Sequence, residues 1–96
     1  MYFAVTKIVF ESDGRLDTDY REITSLAVKL QTKFKVSVQV SHSFKEDGIP
    51  MLVIASLGKT ENHISRQIDR MVEYCELSGF GRVGSERTLL DHIDSI

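Results

Sequence analysis

Cysteine and proline are nearly absent from this chain: Cys75 is the single thiol and Pro50 the single proline among 96 residues. One cysteine cannot close an internal disulfide, so a disulfide-stapled fold is excluded and a reducing compartment fits. No apolar run approaches the roughly 18 residues of a membrane span. The first ten residues are apolar but lack the basic start and small-residue cleavage site of a signal peptide. A basic excess is also missing. The net charge of −2 argues against a nucleic-acid module held by bulk charge, though it leaves room for a local basic patch. A cytoplasmic protein with no membrane partner is expected. There is no linker, repeat or low-complexity segment. The chain is read as a single domain over 1–96, able to bury one core.

What is present is a switch of apolar period in mid-chain. Leu16, Tyr20, Ile23, Ala27, Leu30 and Phe34 fall at helical spacing. Val36, Val38 and Val40 then alternate with Lys35, Ser37, Gln39 and Ser41. A period near 3.6 gives way to a period of 2 with no Gly or Pro between, which predicts a helix running almost directly into a half-buried strand. Around this junction, Tyr2–Phe10 reads as a first strand and Asp13-Gly14 as a turn. Asp17, Thr18 or Asp19 can cap the first helix, which runs to about Lys33. The second strand covers Lys35 to about Ser43, and a loop runs from Lys45 to Pro50. Met51–Leu57 is a near-continuous apolar run that suits a central strand buried on both faces. Thr60 can cap a second helix with the stripe Ile64, Ile68, Met71, Val72 and Cys75, and Gly79 stands where a helix C′ glycine belongs. Residues 80–96 read as a strand, or as a short helix capped by Ser85. The preceding element order favours the strand.

The order β-α-β-β-α-β points to an α+β, ferredoxin-like fold: a four-stranded antiparallel sheet with two helices on one face and the first and third strands in the centre. Both central strands nevertheless look apolar on both faces. Phe3, Val5 and Val9 oppose Tyr2, Ala4, Ile8 and Phe10; Met51, Val53, Ala55 and Leu57 oppose Leu52 and Ile54. An open apolar sheet face is unusual on a monomer, so a homodimer through that face is expected.

Catalytic and cofactor motifs do not assemble. Gly79-Phe80-Gly81-Arg82-Val83-Gly84 spells G-x-G-x-x-G, but it follows a helix, whereas the dinucleotide fingerprint lies between a strand and a helix. Its Gly81–Gly84 part matches the G-x-x-G of KH domains only if a helix follows. Both strings read as a helix stop and a turn. Gly58-Lys59-Thr60 sits between a strand and a helix like the end of a P-loop, yet Val53 occupies the position of the first glycine. A simpler anion site at Lys59 and Thr60 survives this test. His42, His63 and His92 have no metal-ligand spacing, and Asp91-His92 with some serine is a triad only on paper. No cofactor is expected.

The basic residues carry one candidate surface. Lys29 and Lys33 lie at i, i+4 on the first helix, next to Lys35, and Arg66 and Arg70 lie at i, i+4 on the second. With both helices on one side of the sheet, these five can form a basic strip for RNA or another partner. The alternative is an ordinary solvated helix surface, with Glu61, Asp69, Glu73 and Glu76 forming mixed pairs. A groove for single strands also wants exposed aromatics, and Phe44 is the clear loop aromatic. The third strand lacks the aromatic signature of an RRM.

Leu16, Arg21, Ser25-Leu26, Leu30 and the run Lys33-Phe34-Lys35-Val36-Ser37-Val38 resemble the YlxP-like family of small bacterial proteins of unassigned function. Leu52–Ala55 and the helix from His63 follow the same pattern, for about 60 residues in all. The resemblance implies a ferredoxin-like fold in a bacterial cytoplasmic protein. Such proteins are often encoded among translation-initiation and ribosome-maturation genes, which implies a ribosome- or RNA-linked role. Where the family has a basic Ser-Leu-Lys-x-Lys-Arg stretch, this chain has Arg15-Leu16-Asp17-Thr18-Asp19-Tyr20, with acids in place of lysines. The loop Ser43 to Pro50 and the Gly-rich tail also depart from the family. The expectation is a non-enzymatic binding protein, an accessory factor for RNA or the ribosome; the alternative is a dimeric small-ligand regulatory module.

Overall fold

Strand β1 (Tyr2–Phe10) alternates as its sequence demands: Ala4, Thr6, Ile8 and Phe10 are buried, and Val5 and Lys7 are exposed. The structure, a computed structural model, describes residues 1–11, 16–41 and 49–94, and for 16–20 the backbone alone. The expected Asp13-Gly14 turn, most of the Lys45–Pro50 loop, His42 and Phe44 lie outside the described residues. Helix α1 (Leu16–Phe34) presents Ile23, Leu26, Ala27 and Leu30 to the sheet. It already begins at Leu16, so Asp17, Thr18 and Asp19 lie within its first turn rather than ahead of it as caps.

The period switch is real, and its physical agent is Lys35. This residue takes a left-handed backbone, φ 55°, and its N–H closes the last turn onto the Gln31 carbonyl at 2.9 Å. A lysine performs here the stop usually left to a C′ glycine. Because Lys35 turns the chain, strand β2 is shorter than its alternation suggested, Ser37–Val40 rather than Lys35–Ser43. The Ser41 N–H still reaches the Met51 carbonyl at 3.1 Å, and the rest of the expected end lies outside the described residues.

Strand β3 (Met51–Gly58) lies between β2 and β1, and β4 (Val83–His92) flanks β1 on the other side, giving the order β2-β3-β1-β4 with all pairings antiparallel. With α1 and α2 (Glu61–Leu77), this is the α+β, βαββαβ ferredoxin-like arrangement. The tail is a strand, as the element order required. Its alternation is broken once. Ser85, Arg87, Leu89 and Asp91 share a face opposite Val9, Lys7, Val5 and Phe3, but a register shift between Val9 and Phe10 pairs Val83 with Phe10 and turns it toward the core.

The expectation that β3 is buried on both faces also fails. Leu52, Ile54 and Ser56 are buried under the helices, while Leu57 is 69% exposed and Met51 and Val53 are half-buried. Its apolar run serves two different surfaces, of which only one is covered.

Helix α2 is bounded as its sequence indicates. The Thr60 hydroxyl accepts the His63 N–H at 3.1 Å, Ser78 closes the other end, and Gly79 follows at φ 80°. Ile64, Ile68, Met71 and Cys75 form its buried stripe. The sheet approaches the helix most closely at Gly58, where a Cβ would lie 2.7 Å from Ile64 Cγ1 and 3.0 Å from His63 Cδ2. That contact explains why the strand ends on glycine. Buried Thr6 is satisfied across the sheet: Thr88 donates to Glu86 at 2.8 Å, so its hydroxyl accepts from Thr6 at 3.1 Å. Among the described residues no helix is long and apolar enough to cross a membrane.

Candidate functional site

Two glutamines fasten the end of α1, one to the first half of α2 and one to β2. Gln67 donates its amide to the Phe34 carbonyl at 3.0 Å, closing an open backbone acceptor at the helix end. Gln31 accepts the Val38 N–H at 3.2 Å, tying α1 to β2. These contacts hold Lys33 opposite the flank of α2 that carries His63, Arg66, Gln67 and Arg70. Spacings of three and four place those four residues on one side of the helix. The result is a single cleft lined by Lys33, Phe34, Thr60, His63, Arg66 and Arg70, among others.

The electrostatics of this cleft have one sign. The one ion pair among the described residues joins His92 to Asp94, so Lys33, Arg66 and Arg70 meet no described carboxylate within 4.0 Å. The interleaved Asp69, Glu73 and Glu76 therefore do not form the mixed pairs of an ordinary helix surface with them. The Lys33 ammonium instead lies 5.4 Å from the Tyr74 ring centroid and 6.0 Å from that of Phe34. The two rings pack edge to face, 5.9 Å apart at 81°. A cation held over such faces is positioned without being neutralised. The positive end of the α2 dipole, at Thr60, adds to the same field.

Of the five expected basic residues, the structure brings three together. Lys29 borders a separate groove with Tyr74 and Phe80. Lys35 lies at the end of the sheet near Ser37 and Ser56. Of the expected anion pair, Thr60 lines the basic cleft, but its hydroxyl is committed as the helix cap, and Lys59 stands outside the lining. His63, Phe34, Gln67 and Tyr74 were not anticipated. The run of spacings 63, 66, 67, 70 and 74 would have shown all but Phe34 as one flank.

The remaining motifs are used by the fold. Gly79 is the left-handed stop of α2, Arg82 accepts the Glu11 N–H through its carbonyl at 2.9 Å, and Gly84 lies at the β4 register shift. His92 Nδ1 meets Asp94 at 2.7 Å, and the Asp91 carboxylate accepts the backbone N–H of His92. That arrangement directs His92 away from the drawn triad. Among the described residues no three His, Cys, Asp or Glu side chains are grouped to hold a metal. Cys75 is fully buried; desolvation, with the charge of Glu76 second, pushes its thiol up to about 12. The chain matches no known family model and no curated protein.

Proposed function

We propose that this chain is a non-catalytic binding protein of the cytoplasm, a YlxP-like accessory factor that docks on RNA, including that of the ribosome, through the Lys33–Arg66–Arg70 cleft. The observation that carries the reading is the convergence on one cleft of three cations from two helices, none of them paired with a described carboxylate. Arginine forks suit phosphate oxygens, and the Phe34 ring in the cleft lining suits an unpaired base or ribose beside them. The chain is acidic overall, so the contact is local and involves few phosphates. Neutralising about three phosphates on a single strand gives a slope of log K against log salt of roughly −2.

Fluorescence anisotropy with a labelled single-stranded RNA, read across a salt series, tests this. The wild type is expected to bind with that shallow slope. The combined variant Lys33→Glu, Arg66→Glu, Arg70→Glu is expected to lose binding while keeping the wild-type circular dichroism. Absence of any anisotropy change for the wild type at moderate salt overturns the reading, as does unchanged binding by the variant.

One observation favours the second reading, a dimeric regulatory module with a small ligand at the seam. The sheet face away from the helices carries Phe3, Val5, Val9, Met51, Val53 and Leu57, and a second copy laid against it would remove this surface from water. Thermal stabilisation by one compound of a metabolite panel would support that module.

A further inference from the structure

We infer that strand β4 is a self-complementary edge, and that a second copy of this chain pairs with it, β4 against β4, to continue the sheet across a two-fold axis at Leu89.

The starting point is exposure. β4 is the outer strand of the sheet. Over its ten residues Val83 and Leu90 alone are half-buried, and the other eight are exposed. Leu89 is 66% exposed. A long regular edge strand presents a row of backbone donors and acceptors outward and is a template for another strand unless something blunts it. The edge is guarded by charge alone: Glu86, Arg87 and Asp91 lie along it, and the Asp91 carboxylate holds the His92 N–H at 2.8 Å, a bond that pairing would have to exchange. There is no proline, and its irregularity lies at the Val83 end, away from Ser85–His92.

The side chains then select the partner. Two copies of one edge pair antiparallel about a two-fold axis, and outward backbone groups must meet outward backbone groups. The axis therefore passes through a residue, and each cross-strand pair keeps its face of the sheet. Four centres are available in the exposed stretch. Centred on Arg87, that arginine faces itself. Centred on Thr88, Arg87 faces leucine. Centred on Leu90, Asp91 faces leucine. Centred on Leu89, no like charges meet and no charged residue faces leucine. Arg87 faces the partner's Asp91, Glu86 faces the imidazole of the partner's His92, and Thr88 faces the partner's Leu90. Leu89 faces the partner's Leu89 at the axis. Because of the two-fold, the Arg87–Asp91 pair occurs twice. Cross-strand partners of opposite charge stabilise a pairing, and like charges oppose it.

This interface differs from a dimer through the open sheet face. Edge pairing leaves that face uncovered and joins two copies of it side by side. No residue of β4 lines the basic cleft, which is built from α1, Thr60 and α2, so both clefts remain free.

The test is a charge swap read by sedimentation equilibrium over a concentration series. Wild type is expected to show a monomer–dimer equilibrium. Arg87→Asp and Asp91→Arg each place like charges opposite one another twice, and each is expected to weaken the dimer at least ~10-fold. The double variant restores opposite pairs and is expected to restore the wild-type constant. A strictly monomeric wild type overturns the inference, and so does a double variant no better than the singles. Circular dichroism of the singles checks that they fold, and a second arm does not depend on them. Leu89→Cys, treated with a short bis-maleimide, is expected to cross-link at the axis, with buried Cys75 unreactive. Leu57→Cys, on the open face away from β4, is expected not to. Cross-linking at Leu57 and not at Leu89 overturns edge pairing.

Discussion

At the scale of single residues, Cys75 shows what burial does to a reactive group. It points from α2 into the core with no exposure, and its thiol is pushed from 9.0 to about 12. The thiolate is the nucleophile, so the folded protein is expected to resist alkylation by iodoacetamide at pH 8 and to react once unfolded in urea. A pH dependence follows from the same shift. Below pH 9 both states hold the thiol proton and stability does not depend on it. Between 9 and about 12 the unfolded chain loses that proton while the fold retains it, so stability falls as pH rises. Urea midpoints of wild type and Cys75→Ala, compared from pH 8 to 11, are expected to show the steeper decline in the wild type. The cysteine's place was legible beforehand, since its spacing from Ile64, Ile68 and Met71 put it on the apolar stripe.

At the scale of elements, the junction of α1 and β2 shows how far a pattern reaches. The change of period located the boundary within two residues. It gave no sign that Lys35 would adopt φ 55°, because nothing in a lysine favours the left-handed region. That conformation costs a non-glycine residue about 1–2 kcal/mol, partly offset in a glycine variant by the greater freedom of its unfolded chain. Lys35→Gly is therefore expected to raise stability by about 0.5–1 kcal/mol, seen as a higher urea midpoint at constant m. The same limit applies to the basic residues. Pairs at i, i+4 were visible in each helix, but which pairs would meet depended on how the helices lie together. Lys33 and Lys29 are one turn apart, yet the first leans on Tyr74 toward the arginines and the second borders another groove. Gln67 fastens the cleft through a bond to a backbone carbonyl, which no spacing announces.

At the scale of the whole molecule, the sheet has one face under two helices and one without cover. Alternation in β1 shows both faces to be apolar, and the run in β3 suggests burial on both sides. A sequence records that a residue is apolar, not what covers it. The uncovered face gives the last prediction. Leu57 is 69% exposed, so Leu57→Lys is expected to change folding stability by no more than about 0.5 kcal/mol. If a second copy covers this face, the substitution lowers the mass measured by light scattering at a given concentration. If β4 alone joins the copies, the mass is unchanged.

The central place of β1 has a consequence in time. Its two neighbours are β3 and β4, and Tyr2 finds its partners at Gly58 and at His92. Of these three strands, the one synthesised first is completed by the one synthesised last. Contacts so distant along the chain must close large loops before they stabilise anything, which slows folding relative to a helical protein of equal length. Until β4 emerges, a growing chain carries β1 with one edge open and its apolar residues accessible to other strands. A chain released before β4 is made would therefore keep an open edge on β1, the kind of edge that promotes aggregation.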